Sequence, residues 1–209
     1  MNAPADSLPF GPRPFHLRPF HIRPWAAADQ DGVVALISGI QRGEFSLPIT
    51  PADQPDLMDI TGFYRRGAGE FWVAEAARPA PGEGLGCDAG CDADGDASCD
   101  VGGVIGCIAL LDIGGGQGAL RKMFVHKHWR GAPRGGQGAS VAAAQLRTLL
   151  EHASARGLGE IFLGTTTRFL AAHRFYEKHG FTRVEKAGLP QSFPVMAVDS
   201  VFYRLGLMP

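Results

Sequence analysis

Apolar residues recur at intervals of three and four between residues 27 and 41, where Val33, Val34, Leu36, Ile37 and Ile40 form one side of a helix that Gly43 is placed to end. A second amphipathic stretch opens at Val141, with Val141, Leu146, Leu149 and Leu150 on one side. The spacing also predicts a short helix over 53–59, with Thr50 and Pro51 as cap and first-turn pair, and a last helix through FLAAHRFYEKHGF. Between these lie runs that suit strands: 20–23, 70–75 (EFWVAE), 104–112 (VIGCIALLD), 118–125 (GALRKMFV), IFLGTTT from Ile161, 182–186 and 201–205. GGGQG makes the turn from the third strand into the fourth. This order predicts an α+β fold, a mixed, mainly antiparallel sheet of about seven strands flanked by about four helices.

At 209 residues, 45% of them hydrophobic and 20% charged, the chain suits one domain with a full core. Residues 1–15 are rich in Pro, Gly and small residues and are expected to be a flexible N-terminal segment, leaving 16–209 as a single domain. The hairpin of the second and third strands is interrupted by an insert at 77–103 whose centre reads CDAGCDADGDASCDVGG. Its aspartates invite a hard cation and Cys87, Cys91 and Cys99 invite zinc. Against calcium, the glycine falls at the wrong place and no glutamate closes the loop; against zinc, a fourth ligand is not evident and the spacing is irregular. The composition favours a solvated low-complexity loop, so no metal is expected.

Lys and Arg number 20 against 21 acidic residues, a formal charge of −1, which gives no global attraction to nucleic acid or to an anionic membrane. No apolar run approaches the ~20 residues of a membrane helix, and the start of the chain lacks a basic segment followed by an apolar one. A cytoplasmic protein with no nucleic-acid or membrane partner, monomeric or homodimeric, is the expectation. The four cysteines, three of them in the insert, do not suggest a disulfide framework.

The chemistry concentrates in HKHWRGAPRGGQGAS, between the fourth strand and the helix at Val141. Glycines let backbone N–H groups approach an anion, Arg130 and Arg134 add positive charge, and the helix start adds the positive end of its dipole. This suits a phosphate-bearing, nucleotide-like ligand. A Walker-type loop is excluded because no Gly-Lys-Ser or Gly-Lys-Thr opens the helix, and a dinucleotide fold is disfavoured because no acidic residue closes the following strand.

The strand, this turn and the helix, followed by Ala172, Tyr176, Gly180 and Phe181 in an Ala-x-x-x-Tyr-x-x-x-Gly-Phe pattern, resemble the GNAT superfamily of acyl-CoA-dependent N-acyltransferases. The resemblance spans about 20–207 apart from the insert, and implies a GNAT-like sheet and acetyl-CoA as cosubstrate. It places the cofactor pyrophosphate on Arg130, Gly131, Arg134, Gly135, Gly136, Gln137, Gly138, Ala139 and Ser140, and the pantetheine arm along the main chain of Met123, Phe124 and Val125. Departures are evident. Ser140 replaces the first glycine of the aligned helix start, 132–136 are additional, and Phe169 stands where many relatives carry a cofactor-contacting asparagine, a contact that Thr167 or Arg168 could supply instead.

Acyl transfer from a thioester needs a neutral amine, an oxyanion donor and a proton for the leaving thiolate. Tyr176 is the expected general acid, a phenol protonated at neutral pH that reaches the sulfur from the helix start; its alternative role is packing beside Phe175 and Phe181. The base is open. Many relatives place a glutamate on the fourth strand, which has no carboxylate here, and Glu44, Asp112, His126, His128 and His173 are the polar candidates, with a water chain equally compatible. The expected activity is acetyl transfer from acetyl-CoA to a primary amine of a small molecule or peptide, by direct attack in a ternary complex. A non-catalytic CoA-binding sensor on the same fold is the alternative, and an aspartate-rich metal-binding protein a third.

Overall fold

Alternation along the central strands divides the interior into two layers. On β2 (Glu70–Ala76) and β3 (Val104–Gly114), Trp72, Ile108 and Leu110 face one side, while Phe71, Val73, Cys107 and Ala109 face the other. Because both faces are apolar, each must be covered by helices. The computed structural model describes residues 20–77, 103–131 and 139–207. Seven strands form one sheet in the order β1-β2-β3-β4-β5-β7-β6, with β1 Phe20–Pro24, β4 Gln117–Val125, β5 Glu160–Thr165, β6 Thr182–Val184 and β7 Val201–Gly206. Every neighbouring pair is antiparallel except β4 and β5. The predicted α+β architecture is therefore the observed one.

The first helical segment is composite. A 3-10 turn (Ala27–Asp29) leads into α1 (Gln30–Ser38), which runs on as a π-helical turn (Gly39–Glu44). Asp29 anchors its start by accepting from Ala26 N at 2.8 Å and from both terminal nitrogens of Arg23, at 2.7 and 2.8 Å. Burial raises the Asp29 pKa, but these bonds outweigh it and the net shift is downward. Gly43 does not end the helix. The π turn carries it past Gly43 to Glu44 and buries both Ile40 and Gln41.

The short helix expected over 53–59 is instead a 3-10 turn (Pro51–Asp53) and α2 (Pro55–Met58), and the sequence reading missed α3 (Ile60–Tyr64), capped by Asp59 accepting from Gly62 N at 2.8 Å. With α1, these pack Leu57, Ile60 and Tyr64 on the Phe71 face. On the opposite face lie α4 (Val141–Ala155), through Leu146, Leu149 and Ala153, and α5 (Leu170–Lys178), through Tyr176. Leu150, assigned to the apolar side of α4 from its spacing, is only partly buried, and Ala144, Gln145 and Ala153 take that side with Leu146 and Leu149. No helix among the described residues is long and apolar enough to cross a membrane. The insert and its Cys87, Cys91 and Cys99, and the turn residues 132–138, lie outside the described residues.

Candidate active site: a splayed strand pair and a bulge

The parallel strands β4 and β5 share only three ladder positions, Gln117 with Glu160, Gly118 with Ile161 and Ala119 with Phe162. Beyond Ala119 both continue without pairing, so the edge of β4 from Leu120 to Val125 faces a gap while its other edge stays bonded to β3. Met123, Phe124 and Val125, expected to lend their main chain to a ligand, lie along this gap.

Opposite the gap, β4 carries a bulge that the sequence reading did not foresee. Cys107 pairs with Phe124 and Ala109 with Arg121, so Ile108 alone opposes both Lys122 and Met123. Lys122 adopts the left-handed region, with φ +49, and its carbonyl accepts from Cys107 Sγ at 3.2 Å. A non-glycine residue held there stores of order 1 kcal/mol of strain, which is retained where the surroundings enforce it. The extra residue resets alternation. Leu120 and Met123 face α4 and α5, whereas Arg121 and Lys122, adjacent in sequence, both face the side of α2 and α3.

On that second side Lys122 enters a buried polar network. Its Nζ donates to Gln54 Oε1 at 2.6 Å and pairs with Asp56 at 3.2 Å, both side chains of the ion pair being 6% exposed. The Tyr64 hydroxyl donates to the same Asp56 oxygen, and Gln54 Nε2 donates to Gln41 Oε1 at 2.9 Å. Burial lowers the Lys122 pKa although Asp56 opposes the shift, and burial followed by the charge of Asp56 holds the Tyr64 phenol well above its ordinary range. Asp199, in the β6–β7 connection, is raised by burial, partly offset by its bond from Met196 N and by the charges of Arg121 and Lys122. Arg121, half-buried, makes one hydrogen bond among the described residues, to Pro194 O at 3.3 Å.

On the first side Tyr176 is buried among Phe175, Phe181 and Tyr203, with its hydroxyl 3.7 Å from Met123 Sδ. Burial keeps its phenol protonated well above the usual range. The expectation that it acts from a helix start is corrected: Tyr176 lies in the last turns of α5, and Phe169 holds the N-cap position. Phe169 packs edge-on to Phe45 with centroids 4.6 Å apart, and Arg168 Nη1 donates to Phe45 O at 3.1 Å.

At the far end of β4 the chain turns through Lys127–Trp129 and Arg130 to Gly131, whose φ of +92 suits glycine. Arg130 is engaged on three atoms. Nε donates to Val125 O at 2.7 Å, and the two terminal nitrogens meet Glu44 at 2.5 and 2.8 Å. Ser140 caps α4 by accepting from Ala143 N at 3.2 Å. By position the first amides of α4 have no intrahelical partner, so Ser140 leaves those of Val141 and Ala142 for an anion. Arg134, Gly135, Gly136, Gln137 and Gly138 fall outside the described residues, and Ala139 leads directly into the cap.

The candidate bases separate. Glu44 is the partner of Arg130. Asp112 is removed from the gap: it lies beside the paired end of β4, accepting from Ala68 N at 2.8 Å and Gly114 N at 2.9 Å. His173 is fixed between Tyr203 Oη at 3.0 Å and Thr166 O at 3.1 Å, and His126 and His128 pack edge to face with centroids 5.1 Å apart. The residues missed in the sequence are Gln54, Asp56, Tyr64 and the bulge pair Arg121 and Lys122; a basic pair in an otherwise apolar strand is the one signal that could have found them.

With this geometry in place, comparison with known proteins shows what the chain is similar to. Residues 89–181 match the model of the acetyltransferase (GNAT) family. A search of curated proteins finds no match. Among solved structures, an acetyltransferase of the GNAT family from Staphylococcus aureus Mu50 is 26% identical, with a TM-score of 0.73 over 91% of this chain and 100% of that one. An acetyltransferase from Streptococcus agalactiae 2603 is 24% identical, with a TM-score of 0.73 over 90% and 98%. PaiA N-acetyltransferase from Thermoplasma acidophilum, in complex with coenzyme A, shares the fold at 11% identity, with a TM-score of 0.56 over 90% and 99%. Residues 89–181 thus match the GNAT acetyltransferase family, and the whole fold is similar to that of GNAT-family acetyltransferases.

Proposed function

We propose that the chain is an N-acetyltransferase that moves an acetyl group from acetyl-CoA to a primary amine of a small molecule or peptide within a ternary complex. The observation that carries this reading is the opening between β4 and β5, with unpaired main chain on the Met123 to Val125 edge and a protonated phenol, Tyr176, beside Met123. The residues present suit the cosubstrate: the free β4 edge for amide groups of a pantetheine arm, and Gly131, Ala139, Ser140 and the start of α4 for a pyrophosphate. The remaining turn residues, Arg134 to Gly138, belong to the same proposal.

The amine nitrogen attacks the thioester carbonyl carbon, a C–N bond forms, and the C–S bond breaks with its electron pair on sulfur. Main-chain N–H groups of β4 stabilise the oxyanion, Tyr176 gives its proton to the departing thiolate, and the proton shed by the amine is relayed through solvent to the Tyr176 phenolate, which restores the phenol. Two measurements test this reading: calorimetry with CoA, and thiol release from acetyl-CoA across a panel of amines. Binding and amine-dependent thiol release are expected; no heat and no thermal shift with CoA would refute it. A CoA sensor remains the second reading because Arg130 is already paired with Glu44, and it is distinguished by CoA binding without turnover.

A further inference from the structure

The bulge on β4 places two basic residues side by side on the face away from Tyr176, and their surroundings differ. Lys122 is neutralised by Asp56 and bonded to Gln54, so its charge is already balanced. Arg121 has no ion-pair partner among the described residues, and its guanidinium, which carries five donors, makes only the single bond to Pro194 O at 3.3 Å. A half-buried guanidinium is costly to leave without an anion, and its planar fork suits a carboxylate. Arg121 stands two residues beyond Ala119, where the pairing of β4 and β5 ends, and two before Met123. An acceptor approaching the gap from the α2 and α3 side meets it beside the reacting centre.

We infer that the acceptor is an amine that also carries a carboxylate, an amino-acid-like zwitterion, and that Arg121 holds the carboxylate while the amine is directed to the gap. This rests on the acyltransferase reading and narrows its substrate class. Lys122 cannot take the same part without leaving Asp56 and Gln54, which makes Arg121 the specificity-determining residue of the pair. Asp199 feels both cations but accepts from Met196 N at 2.9 Å and is not within ion-pair distance of Arg121, so it does not take the place of the acceptor carboxylate.

The test compares α-amino acids, each beside its carboxamide and its decarboxylated amine, by thiol release from acetyl-CoA, in the full chain and in Arg121→Gln and Arg121→Lys. A charge-assisted bond to the carboxylate should favour the acid over its carboxamide by about 10- to 100-fold in kcat/KM. In Arg121→Gln that ratio should fall towards one, through KM, and Arg121→Lys should recover part of it. Equal use of acid and carboxamide by the unaltered protein, or an unchanged ratio in Arg121→Gln at unchanged melting temperature, would overturn the inference. Should no amine support turnover, calorimetry of the same panel on the CoA-loaded protein decides: Arg121-dependent binding of the acids supports it, and no binding overturns it. CoA calorimetry, run first, shows separately whether the acyltransferase reading has failed.

Discussion

Replacing Tyr176 with phenylalanine separates catalysis from packing because the structure makes the two effects unequal. The ring sits against Phe175, Phe181 and Tyr203 at centroid distances of 5.7, 5.6 and 6.0 Å, all of which survive the change. The hydroxyl is 3.7 Å from a thioether, a weak acceptor, so its loss should cost less than about 1 kcal/mol of stability. If the hydroxyl protonates the thiolate, its loss should slow turnover by ~10²–10⁴-fold, or ~2.7–5.5 kcal/mol of barrier. Turnover is read by thiol release with an amine substrate, CoA affinity by calorimetry and stability by melting temperature. A large fall in kcat with affinity and melting temperature nearly constant is expected. Unchanged kcat would remove Tyr176 from the chemistry and leave it as a core aromatic.

Arg130→Gln should weaken CoA binding about tenfold or more, whereas Glu44→Gln, which removes the competitor of the pyrophosphate, should strengthen it by no more than a few-fold, since exposed pairs contribute ~0.2–1 kcal/mol; unchanged affinity in Arg130→Gln would exclude the residue from the anion site. Stability should fall as pH rises above ~8.5: burial pushes the Cys107 thiol up to about 12, so between these values the folded state holds a proton that the unfolded state releases. Urea midpoints at pH 7, 9 and 10.5 should decline, less steeply in Cys107→Ala, and a flat series would contradict the burial. Replacing 77–103 with a short Gly-Asn turn should preserve folding and CoA binding, because in the unaltered chain Ala76 N lies 3.4 Å from Gly103 O, so the two strand ends are within reach of a short turn, and long loops add little closure entropy; a shortened chain that does not fold, or stoichiometric zinc or calcium in the native one, would show a structural role for the insert.

The sheet was legible because its strands are bounded by glycine and turn residues and because VIGCIALL is apolar on both faces, as a doubly covered strand must be. Gly131 and Tyr176 carry the motif resemblance, while Ser140, a departure from it, is the N-cap of α4. The helical side of the Arg121 and Lys122 face was not legible. Gly43 reads as a helix stop, yet the π turn passes through it and turns Gln41 inward towards Gln54, a geometry with no local sequence signature. Asp56 and Tyr64 sit in short helices whose burial depends on partners contributed by β4, more than fifty residues later. The bulge was hidden for a related reason: bulges of this kind are marked in sequence by glycine, and here a lysine takes the left-handed position.

That lysine links the two halves of the site. Without the extra residue, strict alternation from Leu120 would send Lys122 to the side of α4 and α5 and Met123 to the side of α2 and α3. The charge would then enter the apolar layer around Tyr176, and the Met123 thioether would leave the tyrosine hydroxyl. The bulge avoids both and leaves Arg121 and Lys122 together on one face, separated from Tyr176 by the thickness of a single strand. A carboxylate on β4 itself is then unnecessary for charge balance, because α2 delivers Asp56 to Lys122 from outside the sheet. The same arrangement leaves Arg121 on that face with no carboxylate within ion-pair distance among the described residues, Asp199 acting on it only at longer range, so the proposed acceptor contact depends on the same backbone irregularity that places Lys122 against Asp56.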